Sequence, residues 1–301
     1  MLNQTQLQLE SGKEGLWLDI YGATAEEREQ ADRLAGFVIE KLSTIGEIEF
    51  SSRIHLGDGV LYLNLPRFHD VGDISSALGF ALSPTTLVTH HEHQLPTLAT
   101  IQANVSHSKT PVELFLIILE RCADNFADQL EALEARISEC TRKSYAAKGK
   151  KHALNRRLRE VGKMGQQQGY LHSNIHGVAR LANYLDDAAP SWFNDVAKRR
   201  IALLRKDITS LTEFEQQMDE RIEFLLESVL GLINIEQNEV MKVMAIASVV
   251  GIPPTVLVGI WGMNFSFMPE LKWHDAYFVA LGIIILSGLL PLIWFRRRGW
   301  L

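Results

Sequence analysis

Two long runs without a charge lie close together near the C-terminal end of this chain, and they restrict its fold more than any other feature. Val243–Met263 is 21 residues and Ala276–Phe295 is 20 residues, neither with Asp, Glu, Lys or Arg. A helix needs about 20 apolar residues to cross a bilayer. A soluble core helix can be as apolar, but two in succession with a short polar break are better read as a pair of membrane spans. The stretch MLNQTQLQLESGKEG at the start has no apolar core and does not read as a signal peptide.

The flanks give a topology. Arg296, Arg297 and Arg298 follow the second run, whereas the loop Phe265–Asp275 carries one base, Lys272, and two acids, Glu270 and Asp275. Basic residues remain on the cytoplasmic side. Both termini are therefore expected inside, with the 264–275 loop outside. The chain has 301 residues and a formal charge of −6, which gives no reason to expect nucleic acid as a partner.

The first 110 residues read as a cytosolic α/β domain. Leu16–Tyr21 has strand character. Thr24 followed by Glu27 is a capping box opening a helix. Asp58-Gly59 marks a hairpin, and TTLVTH and LPTLATIQANV read as further strands. His90, His91, Glu92 and His93 form HHEH after a strand; zinc accepts such ligands, but neighbours on a strand face opposite ways, so a polar strand end is the better reading. Cys122 and Cys140 form no CxxC pair and read as isolated thiols.

Residues 111–190 read as a helical hairpin, opened by Pro111 and carrying a basic stretch, Arg142–Lys163, with nine Lys or Arg against one Glu. That stretch is either a solvated helix face or a contact for anionic lipid heads. Beyond Pro190 a new helix is expected near Asp195. Leu204, Ile208, Leu211, Met218, Ile222, Leu225, Val229 and Leu232 form a heptad seam, with Glu215 in its one gap. No proline interrupts before Pro253, so 191–263 reads as one stalk helix whose last part, about 243–263, is the first span. Pro253-Pro254 would kink it locally. A second stripe runs Glu213, Glu220, Glu223, Glu227, then Asn234, Met241, Met244, Ser248, Ile252 and Thr255. If several copies pack around an axis, these positions stack as rings, acidic ones gathering cations and apolar ones gating by dewetting.

Gly262-Met263-Asn264 closes the first span and Met268-Pro269-Glu270-Leu271 follows. Mg²⁺ gives up water reluctantly. A ring of neutral Asn264 amide oxygens can accept hydrogen bonds from a hydrated ion, and Glu270 can attract cations outside. GMNFSFMPELKW, with NEVMKVMAIASVVGIPPTVLVGIWGMN before it, a second span and a basic tail after it, closely resembles the CorA divalent-cation channels.

The resemblance implies a homopentameric funnel in the plasma membrane (the bacterial inner membrane), its first span lining the pore and its second facing lipid. It places Gly262, Met263 and Asn264 in the selectivity filter and Glu227, Met241 and Thr255 on pore positions; Met244 and Ile252 differ from the family form but stay apolar. No cofactor is implied beyond the transported cation, Mg²⁺ first, then Co²⁺ or Ni²⁺. The family's inhibitory cytosolic metal sites use acids between subunits and are not located by this sequence. A zinc transporter of the same superfamily, in the form of a proton-coupled carrier, is the alternative, and a non-conducting membrane-anchored coiled-coil scaffold is a third. No phosphate-binding glycine loop and no nucleophile–base signature point to an enzyme.

Overall fold

The Asp58-Gly59 pair turns the chain with φ of 51° and 82°, the left-handed pair that a two-residue hairpin requires. It joins strands β3 (Ile54–Gly57) and β4 (Val60–Asp70). The computed structural model describes residues 1–8, 14–41, 54–70, 74–104, 110–146, 151–263, 268–269 and 274–300. Besides that hairpin it has β1 (Leu2–Gln8), β2 (Glu14–Tyr21), β5 (Ile74–Leu82) and β6 (Thr86–His91). They form one sheet in the order β1-β2-β6-β5-β4-β3, antiparallel except for the β2–β6 pair.

Alternation along β2 and β6 sorts the side chains into two apolar layers. Leu18, Ile20 and Val88 pack with Ala31 and Ala35 of α1 (Ala25–Ala35), which starts on the Thr24–Glu27 capping box. Trp17, Asp19, Thr89 and His91 lie on the opposite face. There Phe80 meets Phe115 edge-on, their centroids 5.2 Å apart, so a helix covers this face too. The buried Asp19 carboxylate is satisfied twice, by the Thr89 hydroxyl at 2.6 Å and His91 Nε2 at 2.9 Å. His91 is thus committed to one face. His90, on the other, contacts the Glu40 carbonyl at 3.1 Å, and burial with Arg28 nearby pushes its pKa down to about 4. Glu92 and His93 are exposed. HHEH is a strand end, as its alternation required.

One expected strand is a helix. The expected strand LPTLATIQANV spans residues 95–105, whereas Pro96–Asn104 forms α2. Proline suits a first helical position. The carboxylate of Asp70, at the far end of β4, accepts from the Thr97 amide at 3.0 Å and the Thr97 hydroxyl at 2.6 Å, which caps the helix start. A distant strand supplies what the local sequence lacks. β1 and β5 were not anticipated.

Three long helices follow. In α3 (Pro111–Ala146), Thr110 and Glu113 make a second reciprocal capping box, at 3.2 and 3.1 Å. α4 (Lys151–Ala188) docks on β4: Asn174 both accepts from the His69 amide and donates to the His69 carbonyl, at 2.9 and 2.7 Å. Gly177 lies so near the sheet that a β carbon there would come within 2.9 Å of Leu65 Cδ2. α5 (Asp195–Trp261) begins where expected, with Asn194 accepting from the Ala197 amide at 2.8 Å. It is continuous through Pro253 and Pro254 and ends two residues before Met263. α6 is Ala276–Arg297.

The chain divides into two units, one of Met1–Arg142 with Arg159–Leu226, the other of Lys143–Leu158 with Glu227–Leu301. In the first, the seam residues Leu204, Ile208, Met218, Ile222 and Leu225 are buried. Ion pairs flank them: Arg200 binds Glu120 through two bonds of 2.8 and 2.6 Å, and Arg205 meets Asp186 at 3.0 Å. Cys122 and Cys140 are both buried and form no disulfide, and burial pushes the Cys122 pKa up.

Candidate functional site: the membrane-length helices

The second unit holds the two helices long and apolar enough to cross a membrane, α5 in its C-terminal part and α6. Almost nothing within the chain covers their apolar windows, of which 0% and 6% is buried. A soluble core helix would be mostly buried, so these surfaces need lipid or other protein copies around them.

The helices touch at Gly288. A β carbon on Gly288 of α6 would stand 3.5 Å from Pro254 Cγ and 3.6 Å from the Val250 carbonyl oxygen of α5. Close backbone approach at small residues is how membrane helices associate. At the end of α6, Trp300 stacks on Phe295 at 5.4 Å, and the Arg298 guanidinium lies 4.7 Å over the Trp294 ring. This Trp–Arg cluster suits a membrane–water boundary.

Glu227, Asn234, Met241, Met244, Ser248, Ile252 and Thr255 are all exposed. At 100° per residue they fall within an arc of about 100° on one helix. Met241, Met244 and Ile252 expose 68%, 65% and 59% of their surface. The two hydroxyls on the stripe donate back along the helix, Ser248 to the Met244 carbonyl at 2.9 Å and Thr255 to the Gly251 carbonyl at 2.8 Å. With their protons so engaged, both oxygens present lone pairs outward. The stripe therefore offers hydroxyl acceptors and thioether or aliphatic surface, with no fixed charge from Val243 onward.

The last turn of α5 closes with the Gly262 amide donating to the Val258 carbonyl at 2.9 Å. A β carbon at Gly262 would come within 3.0 Å of that same oxygen, so glycine fits the helix exit closely. Met263 follows, half exposed. Asn264 and Glu270, on which the filter and cation-attraction expectations rest, lie outside the described residues.

Sequence reasoning missed one group of chemically competent side chains. His172 and His176 of α4 converge with Glu215 of α5, in the first unit, with their candidate ligand atoms no more than 4.8 Å apart. Glu215 was visible only as the gap in the seam, and its partner His172 lies 43 residues away.

Comparison with known proteins bears on the whole chain. The family described as "CorA-like Mg2+ transporter protein" matches residues 12–297. The Magnesium transport protein CorA of Haemophilus influenzae is 27% identical over 294 residues, 95% of this chain and 92% of that protein. The protein of the same name from Escherichia coli K12 is 28% identical over 311 residues, 99% and 96%. Among solved structures, the complete CorA magnesium transporter from Methanocaldococcus jannaschii superimposes with a TM-score of 0.74 at 19% identity, covering 95% of this chain and 92% of that one.

Proposed function

Because this chain belongs to the CorA family, a family of transporters and not of enzymes, we propose that it is a channel for uptake of divalent cations, Mg²⁺ first among them. The observation that carries the reading is the exposed stripe from Glu227 to Thr255 on a helix of membrane length. Relatives similar over nearly the whole chain are named magnesium transport proteins.

The mechanism follows from the order of residue types along the stripe. Five copies around an axis, the assembly the resemblance implied, would turn each exposed position into a ring. Thr255 would give hydroxyl oxygens to an ion that keeps its water, since Mg²⁺ dehydrates reluctantly. Ile252, Met244 and Met241 would form apolar rings, and Glu227 an acidic ring below them. Water leaves a narrow apolar ring readily, so the methionine level is where flow can be interrupted without any charged plug. Gly262, Met263 and Asn264 would make the outer filter, with Glu270 gathering cations near it. The topology that fits has both termini in the cytoplasm and α6 facing lipid.

The gate makes a specific demand. Met244→Ser should wet the constriction and raise leak of Mg²⁺ through reconstituted protein. Unchanged or lower flux in a correctly assembled oligomer would remove the gate from this position.

Ion identity is tested by uptake into liposomes that hold the purified protein, with an inside-negative potential and Mg²⁺ or Zn²⁺ outside. Faster Mg²⁺ entry than Zn²⁺ entry supports the reading. Entry of Zn²⁺ alone would assign the chain to zinc transport, and entry of neither would leave a scaffold.

A further inference from the structure

The structure assigns a transition-metal site to His172, His176 and Glu215, inside one chain, suited to Zn²⁺, Co²⁺ or Ni²⁺ and not to Mg²⁺.

The case begins with Glu215. It occupies the one polar position in the seam of α5, its side chain only 2% exposed. A buried carboxylate is costly unless paired and hydrogen-bonded. One of its oxygens is served: Oε1 accepts from the Gln168 amide, and His172 Nδ1 lies 3.2 Å away. The other oxygen, Oε2, is buried without a hydrogen-bond partner, and so is Nε2 of His176, 3.9 Å from it. Two buried atoms of matching ligand chemistry thus face one another, too far apart for a hydrogen bond.

A cation between them resolves both. His172 and His176 are one turn apart on α4, with ring centroids 4.2 Å apart. His172 Nδ1 lies 3.2 Å from Oε1 and His176 Nε2 lies 3.9 Å from Oε2, so each ring faces its own carboxylate oxygen at close to the roughly 3.4 Å that separates two ligands on 2.0–2.1 Å bonds. The Gln168 amide on Glu215 would fix the carboxylate, as outer hydrogen bonds do at metal sites. Ions can enter from a groove beside His176 lined also by Asn183, Thr209, Thr212 and Glu213.

The donor set selects the metal. Two imidazoles and one carboxylate suit Zn²⁺, Co²⁺ and Ni²⁺. Mg²⁺ prefers oxygen ligands in octahedral array and keeps its water. The competing account is an ordinary ion pair between protonated His172 and Glu215, which needs no metal and leaves Oε2 unserved.

The test is binding of Zn²⁺ and Co²⁺ to the full-length protein in detergent after chelator treatment. One equivalent of Zn²⁺ per chain should bind in a way that hundredfold excess Mg²⁺ does not displace. Bound Co²⁺ should show the intense visible absorption of a four-coordinate ion, not the weak spectrum of the hydrated ion expected in a pore. His172→Ala, at the more exposed ligand, should weaken that equivalent at least tenfold, and His172→Ala with His176→Ala should abolish it. Glu215→Gln keeps the shape and should also lose it. Zn²⁺ should raise the unfolding temperature of the native chain and not of the double variant. Absence of the equivalent, or its survival in a folded double variant, overturns the site whether or not the protein carries Mg²⁺.

Discussion

Replacing Asn264 with alanine is expected to leave an assembled oligomer that hardly transports. The substitution removes one amide oxygen per chain at the exit of the first span. It leaves untouched the buried seam of Leu204, Ile208, Met218, Ile222 and Leu225 and the Gly288–Pro254 contact. A net hydrogen bond is worth about 1 kcal/mol. In a pentamer a hydrated ion would lose about five, which is more than a thousandfold in filter occupancy at about 1.4 kcal/mol per decade. Asn264→Asp should restore attraction but hold the ion more tightly, so flux stays low. A helix-capping role for Asn264 would be served as well by serine, which has the hydroxyl but not the reach. Near-normal Mg²⁺ uptake by Asn264→Ser, with assembly confirmed by sizing, would end the filter assignment.

The parts of the fold that the sequence displayed are those whose cause is local. The Thr24–Glu27 capping box, the Asp58-Gly59 hairpin and the 4-3 spacing of α5 depend on residues within a turn or two of each other, and each formed as read. The misses depend on distance. α2 looked extended because Thr97, Thr100 and Ile101 favour strands, and only Asp70, 27 residues earlier, shows why a helix starts there. β5 contains Ser75, Ser76, Ala77 and Gly79, weak strand formers that become a strand because β4 and β6 flank them. β1 is mostly polar and exists as the antiparallel partner of β2.

The same division holds for function. The exposed stripe and the Gly-Met-Asn motif are linear, so they could be read. The two histidines of α4 were equally linear, at helical i, i+4 spacing, and Glu215 was conspicuous as the acid in an apolar seam. Neither meant anything until α4 and α5 lay side by side, with the Gln168 amide 2.9 Å from the Glu215 carbonyl oxygen.

Uptake should follow the membrane potential and ignore the proton gradient. A stripe that carries no ionisable side chain from Val243 to Thr255 offers no group to take up and release a proton within the span. What remains is the field. Each elementary charge gains about 2.3 kcal/mol per 100 mV, so a divalent ion gains about 4.6. At about 1.4 kcal/mol per decade that sustains an accumulation ratio of roughly two-thousandfold. In proteoliposomes with a potassium diffusion potential, Mg²⁺ should accumulate far above its external concentration. Clamping the potential at zero should reduce entry to passive equilibration, while dissipating a pH gradient should change nothing. The zinc-carrier alternative requires the reverse. If collapsing the potential leaves uptake intact and collapsing the pH gradient stops it, a proton must be carried, and Glu227, the one acid on the exposed stripe of the second unit, becomes the group to examine.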